Sequence, residues 1–529
     1  MRKKDNMGEF NKRNNVRHIL KFVYVTIFIL TPLISAILFC LKDGKLISDV
    51  YIPLSGWSDE ITYYKQIEGI LSHGMPKGYF GYNQSKALYG PLGVWGIIPL
   101  VPYVIWGFFC GWGYVSPIYA NIFLSVIAFG VIFLVLKPSR KSMGAFSLFW
   151  ITCHFLNRYV LSGVVEASII MQLVVVIACG EYLLSENVRE QKERSFSWRK
   201  DSSALIVCTF MICMLTLARP YFAVLYLIPF WKAVKDKKWG WIISLPLLAC
   251  VIIILFFVNS FYFCSTYFTN IFSFESVKSA GISGVYSLIY NNIVEIMKLI
   301  WYAIRYKDSV GWYYILLFLE LAIMILKCIY GIIKKKKIPD IYIITVVGEV
   351  LILISFMLMY SVNVGARHIL SLIVANALIL IIESHCAWGV VLAIVSACSI
   401  ILAGGFLDNS YRTAEYSEFM EDLRLQFAEN VIVTDELSYD NVVGIATADT
   451  DENNSENKVS AYYGLMFALP AGVGVSLDFE DFYENPDNVK ARYILVHPDG
   501  KIKTTLEKSG MECVIEGEDF LLYKKRKNN

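Results

Sequence analysis

Trp57-Ser58-Asp59-Glu60-Ile61-Thr62-Tyr63-Tyr64 sets two adjacent carboxylates among aromatic residues, sixteen residues past the end of an apolar run, Ile19 to Leu41. That run is longer than the roughly 7 to 15 apolar residues of a signal-peptide core, and it reaches the roughly 20 needed to cross a bilayer. Arg2, Lys3, Lys4, Lys12, Arg13, Arg17 and Lys21 flank it. It reads as a retained first membrane helix with the acidic octapeptide just beyond its far end.

The composition agrees. Of 529 residues, 56% are hydrophobic and 18% charged, against about 45 to 50% and about 25% in an ordinary soluble protein, which excludes a soluble globule. The net charge of +3 hides an asymmetry: 36 basic against 21 acidic residues through Gly405, and 12 against 24 after it. Two physically different parts join there, a membrane module over 1–405 and a polar domain over 406–529. Of twelve cysteines, only Cys513 follows the join, and no Cys-x-x-Cys pair occurs, so neither a disulfide framework nor a zinc ribbon is expected. No nucleic-acid partner is expected either.

Apolar runs fall near 19–41, 115–136, 143–158, 164–184, 204–218, 219–231, 239–260, 312–333, 341–360, 368–384 and 386–405. Eleven crossings place Lys137/Arg140/Lys141, Arg189–Lys200, Lys232–Lys238 and Lys334–Lys337 on the side of the N-terminus, and the positive-inside rule makes that side the cytoplasm. The acidic octapeptide, within a first loop over 42–114, and the C-terminal domain then lie outside it. Gly90–Gly113 is also apolar, but seven glycines and prolines between Gly90 and Gly107 fit a re-entrant or interfacial segment better than a span. In the tail, a helical pattern runs near Tyr411–Ala428, with strand candidates at Val431–Thr434, Tyr493–Val496, Cys513–Ile515 and Phe520–Tyr523, a small α/β unit. Asp449–Asn457 resembles a calcium loop only superficially, because Asn454 and Ser460 stand where Gly and Glu belong.

Asp59 has two readings. It is a helix N-cap before a run through Ile67 and Ile70, or a general base whose proton affinity is raised by partial desolvation and by its acidic neighbour. Asp59-Glu60 with Tyr63-Tyr64, then Ile70-Leu71-Ser72-His73-Gly74-Met75-Pro76, then Tyr89-Gly90-Pro91-Leu92, resembles the first outer loop of glycosyltransferases of the C class, among them relatives of protein O-mannosyltransferases and aminoarabinose transferases. The resemblance implies a polytopic helical enzyme that takes a sugar from a polyprenyl-phosphate carrier to an acceptor glycan, lipid or protein outside the cytoplasm, with Asp59 as catalytic base. It extends to Glu166 at the outer mouth of a span, to Arg219-Pro220 between two short spans, and to Arg367-His368 at the start of a late one.

Arginine at these places suits phosphate, since its planar fork makes two-point contacts and stays charged; the alternative is snorkelling to lipid headgroups. His368 is read as an interfacial hydrogen-bonding residue. Glu60 has three readings: positioning an acceptor, binding a cation, or solvating the loop. Tyr63, Tyr64, Lys86 and Tyr89 are candidates for the acceptor side, although Lys86 stands five residues ahead of Pro91 where the family often has a basic residue directly before it. Some members of the class use a divalent cation such as Mg or Mn, for which Asp59 and Glu166 are the candidate ligands. Glu320 and Glu349 are intramembrane acids read as packing residues. The competing functions are a surface-polysaccharide polymerase, ligase or flippase, and a non-catalytic membrane subunit whose tail binds an envelope component.

Overall fold

The computed structural model describes residues 19–42, 44–50, 52, 58–75, 77, 80–84, 97–185, 198–263, 274–306, 310–363, 365–384, 386–402, 414–433, 439–446, 465–478, 480–496, 498, 502–517 and 520–526. Helices α1 (Ile19–Ile29) and α2 (Thr31–Lys42) meet at a 60° bend, where Pro32 has no N–H to continue the helical ladder. Helix α3 (Ser58–His73) carries the acidic octapeptide, and α4 (Val101–Cys110) follows a short turn. Ten residues rise only about 15 Å, so the described part of 90–113 is too short to cross.

Helices α5 (Ser116–Leu136), α6 (Arg140–Thr152), α7 (His154–Val160), α8 (Glu166–Leu184), α9 (Trp198–Ala218), α10 (Leu227–Lys235), α11 (Trp239–Phe263), α12 (Phe274–Tyr306), α13 (Val310–Ile333), α14 (Asp340–Met359), α15 (Leu370–Ser384) and α16 (Cys386–Leu402) make up the rest of the bundle. Two expected spans are broken: 143–158 divides at Cys153, and 219–231 opens with a 3-10 turn at Pro220–Tyr226. Helix α12 went unread in the sequence. Among the described residues seven helices are long and apolar enough to cross a membrane, eight if the bent pair is one span, and the chain is an integral membrane protein.

Helix α8 is apolar all round and almost wholly buried, against α5, α9 and α15, as a helix at the centre of a bundle must be. Its ends define two poles. At one, Lys235 of α10 pairs with Asp340 of α14, beside Leu184 and Lys337. The other pole collects Glu166, the end of α9, the start of α15 and the start of α3.

Helix α17 (Ala414–Asn430) opens the tail, burying Leu423 and Phe427. The sheet has order β1-β3-β2-β4-β6-β5, with β1 (Phe80–Tyr82), β3 (Gly474–Asp478), β2 (Val442–Ala446) and β4 (Tyr493–Val496) parallel, and β6 (Leu521–Lys525) and β5 (Met511–Glu516) antiparallel. Val431–Val433 is not a strand; its backbone leaves α17, with the Val431 N–H closing on Phe427 O. Thr434, like Asp449–Asn457, lies outside the described residues. The division at 405 also needs correcting, because β1 comes from the first loop and completes the tail sheet. Gln84 fastens it: its side chain donates to Asp478 at 3.2 Å, and its carbonyl accepts from the backbone N–H of Lys490 and of Ala491, each at 2.7 Å.

Helix α3 is joined to the same domain. The buried Lys65 ammonium donates to Glu68 and to the Leu469 carbonyl, while Arg424 of α17 donates to the other Glu68 oxygen at 3.2 Å. Burial pulls the Lys65 ammonium down from its usual value and the Glu68 carboxylate opposes this. A charged hydrogen bond contributes about 1.5–3 kcal/mol, less here because Arg424 is partly exposed. Replacing Arg424 by Ala is therefore expected to speed amide exchange along Ser58–His73 by about tenfold with little change in α8, as read by hydrogen-exchange mass spectrometry. Equal exchange in both proteins would mean that Arg424 does not hold α3.

Candidate active site

Local rules bring the four charged positions of the first loop and the spans together. A proline disfavours helix in the residue before it, and Arg219, ahead of Pro220, leaves α9 with extended φ −148°, ψ 109°. Its guanidinium turns inward and donates to Glu166 Oε1 at 2.9 Å. Glu166 sits in the first turn of α8, where the helix dipole favours a carboxylate. Arg367 lies in the 3-10 turn Ala366–Ile369 ahead of α15; its Nε is 3.2 Å from the same Glu166 oxygen and its Nη2 donates to Asp59 Oδ2.

Asp59, Arg367, Glu166 and Arg219 thus form one chain of alternating charge. Two carboxylates and two guanidinium groups balance formally, which lets Glu166 and Arg219, each 2% exposed, stay buried. Asp59, with 45% of its side chain exposed, is the member that solvent reaches. Glu166 Oε2 is buried without a hydrogen-bond partner among the described residues, so one acceptor position remains unused.

Tyr63 stands four residues past Asp59, on the same face of α3. Burial first, then the Asp59 charge, raises its phenol above the usual range, so it remains an O–H donor at neutral pH. Glu60 points about 100° away, and its expected roles toward an acceptor or a cation do not match its surroundings. It is fully buried and accepts the Gly163 N–H at 2.5 Å. A Cβ at Gly163 would lie 3.2 Å from Glu60 Cβ and 3.1 Å from Ile52 Cδ1, so any larger residue there would crowd the approach of α3 to the loop that precedes Glu166. The other side of that loop is held by Asn121, whose amide donates to Ser162 O at 2.8 Å and whose carbonyl accepts from Tyr103 at 2.6 Å.

His368 forms part of the wall, with Nδ1 4.0 Å from Glu166 Oε1 and its ring 4.6 Å from that of Tyr360. Tyr64 is not on an acceptor side. It is buried between Trp112, Tyr114 and Phe467, at ring separations of 5.4, 5.8 and 4.9 Å, because its position on α3 faces the tail. Trp57, Lys86 and Tyr89 lie outside the described residues. Glu320 and Glu349 are elsewhere, around Asn376, whose amide donates to Glu349 at 3.0 Å; nine residues of α15 separate Asn376 from Arg367, about 13 Å.

The Arg367 guanidinium lies between Asp59 Oδ2 and Glu166 Oε1, the oxygens that a divalent cation shared by the two carboxylates would need, so such a cation would have to displace it. Sequence reasoning missed Gly163, Asn121 and Tyr360. A polar Asn121 inside an otherwise apolar run was the available signal.

No family model and no curated protein matches the chain. Solved structures do: ArnT from Cupriavidus metallidurans in the apo state, with 14% identity over 95% of this chain and 98% of that one at a TM-score of 0.43, and the same protein bound to undecaprenyl phosphate, with 13% identity over 96% and 98% at 0.42. A third is the Archaeoglobus fulgidus oligosaccharyltransferase tethered to an acceptor peptide containing the NVT sequon, with 11% identity over 90% of this chain and 69% of that one at 0.47. Both proteins are glycosyltransferases of the C class.

Removing one partner of a buried ion pair costs about 3–5 kcal/mol, because the other charge stays buried. Arg219→Ala is expected to lower the thermal stability of the detergent-extracted protein on that scale, while Arg219→Ala combined with Glu166→Gln recovers part of it. If the double variant is no more stable than the single, Arg219 does not stabilise through Glu166.

Proposed function

We propose that the chain is a membrane glycosyltransferase that moves a sugar from a polyprenyl-phosphate donor to an extracytoplasmic acceptor, with inversion at the anomeric carbon. The observation that carries this reading is the pairing of a solvent-reachable carboxylate, Asp59, with a partly exposed guanidinium, Arg367, at the pole opposite the lysine-rich loops. A base and a phosphate-binding cation within one hydrogen bond of each other are what such a displacement requires.

In the resting site Arg367 is engaged by Asp59. A donor phosphate competes for that guanidinium, and its arrival releases the Asp59 carboxylate to accept a hydrogen bond from the acceptor hydroxyl. Asp59 takes the hydroxyl proton as the acceptor oxygen bonds to the anomeric carbon. The bond from that carbon to the phosphate oxygen breaks, its electron pair leaves with polyprenyl phosphate, and Arg367 and Arg219 stabilise the charge that develops. Glu166 holds the two guanidinium groups in register, and Tyr63 remains a neutral donor beside them. Glycan, lipid and protein acceptors are all compatible with this chemistry. No step is assigned to a metal.

The proposed orientation has the N-terminus in the cytoplasm of an inner-membrane protein and the tail outside, following the basic loops at Lys137, Lys232–Lys238 and Lys334–Lys337. Alkaline phosphatase fused after Asn529 should be active and a fusion near Lys336 inactive; the reverse pattern would overturn the orientation.

Asp59→Asn keeps the shape but removes the base, and transfer from a polyprenyl-phosphate sugar should fall by ~10²-fold or more. Arg367→Lys should lower transfer less than Arg367→Ala, both raising the donor concentration required, because Lys keeps the charge and loses the fork. Near-normal transfer by Asp59→Asn would reject the mechanism, and unchanged donor dependence in both Arg367 variants would remove Arg367 from the donor site.

A further inference from the structure

Helix α12 presents three distinct faces. Its regular part begins after Gly281, where φ of 55° and ψ of −142° break the helix. At about 100° per residue, Ile296, Leu299 and Ala303 share an arc of about 60° and are buried against the bundle. Ile282, Tyr286, Ile293, Met297, Trp301 and Ile304 occupy the next exposed arc, about 100° wide. Asn291, Lys298 and Arg305 are exposed beyond that, so the exposed apolar face lies between protein and a polar edge.

The contacts of α12 fix its direction. Asn292 Nδ2 donates to Met357 O, in the last turn of α14, at 2.7 Å. Seven to eleven residues further on, Leu299 and Ala303 lie against Gly311 in the first turn of α13, where a Cβ would collide with Leu299 O and come within 2.7 Å of Ala303 Cβ. These contacts span about 16 Å of α12, yet all fall within one turn of the ends of α13 and α14 at the pole of the candidate site. The helix runs over those ends instead of down their length.

We propose that α12 is an interfacial helix whose Ile282–Ile304 face docks on the phospholipid surface at the pole that carries the candidate site. A crossing helix would turn Asn291, Lys298 and Arg305 into acyl chains, whereas a helix lying in the interface buries its apolar arc and leaves its polar edge in headgroups and water. The aromatic content fits that depth, because Tyr and Trp concentrate at the membrane–water boundary. Arg305 stacks over the Trp301 and Tyr306 rings at 5.8 and 5.4 Å, placing a cation where lipid phosphate lies. The contact also borders the candidate site, since Tyr360, three residues past Met357, packs on His368. The proposal requires a membrane-spanning bundle and does not depend on glycosyl transfer.

The test is depth-dependent fluorescence quenching of the full-length protein in phosphatidylcholine–phosphatidylglycerol nanodiscs. Subtracting Trp301→Phe from wild type isolates Trp301 from the other eleven of the twelve tryptophans. Lipids brominated at carbons 6 and 7 should quench that difference signal at least twofold more than lipids brominated at carbons 11 and 12, with little quenching by iodide. As a second probe, in the Trp301→Phe background, Met297→Trp should reproduce this pattern and Asn291→Trp should be quenched by iodide. Strongest quenching by the deeper bromines would make α12 a crossing helix. Iodide quenching without bromolipid quenching at positions 301 and 297 would put the face in water, and protection from both would mean that protein covers it; each of these overturns the proposal.

Discussion

A buried carboxylate can be kept charged only where opposite charges reach it, and the site end of this bundle is organised around meeting that condition for Glu166. Its two guanidinium partners come from residues 53 and 201 positions later in the chain, Arg219 and Arg367. Neither can be displaced without leaving a charge in a low-dielectric interior, so the end of α9 and the start of α15 are tied to the first turn of α8. Asp59 joins through Arg367 and supplies the exposed end of the chain. Rigidity at Glu166 and access at Asp59 are consequences of the same four alternating charges.

Helix α3 is fixed at two levels. Below, Glu60 accepts the Gly163 N–H in an approach that a Cβ at position 163 would crowd. Above, Tyr64, Lys65 and Glu68 engage the tail through Phe467, Leu469 and Arg424. Two faces of one helix therefore have separate tasks: Asp59 and Tyr63 face the ion chain, while Glu60, Tyr64 and Glu68, at four-residue spacing, follow the other face from the loop before α8 to the tail. The tail is consequently part of the structure that places Asp59.

Much of this was readable in the sequence. The first apolar run, the basic clusters at one pole and the acidic pair at Asp59-Glu60 stand out by residue pattern, while Glu166, Arg219 and Arg367 are picked out by the resemblance to C-class glycosyltransferases. The direction of Glu60 was not readable: neighbours on a helix point about 100° apart, and which one faces outward depends on what packs there. Helix α12 escaped notice because polar residues recur among its apolar ones, so no run of about 20 apolar residues marks it. The strands β2 and β3 are five residues each, and β1 is a three-residue segment whose partner is nearly four hundred positions away. Local pattern carries no information about a pairing at that distance.

The pairing of Phe80–Tyr82 with Val475–Leu477 also constrains biosynthesis. During translation the first loop emerges long before β3 exists, so the edge of the sheet and the tail contacts of α3 must wait until nearly all the chain has been made. Pairing at such separation forms late, after local helices. A chain interrupted before residue 475 could insert most of its apolar helices and still lack the partner strand for its first loop. Assembly of that loop therefore reports on synthesis of β3, separating a molecule whose tail sheet can form from one whose helices have merely been inserted.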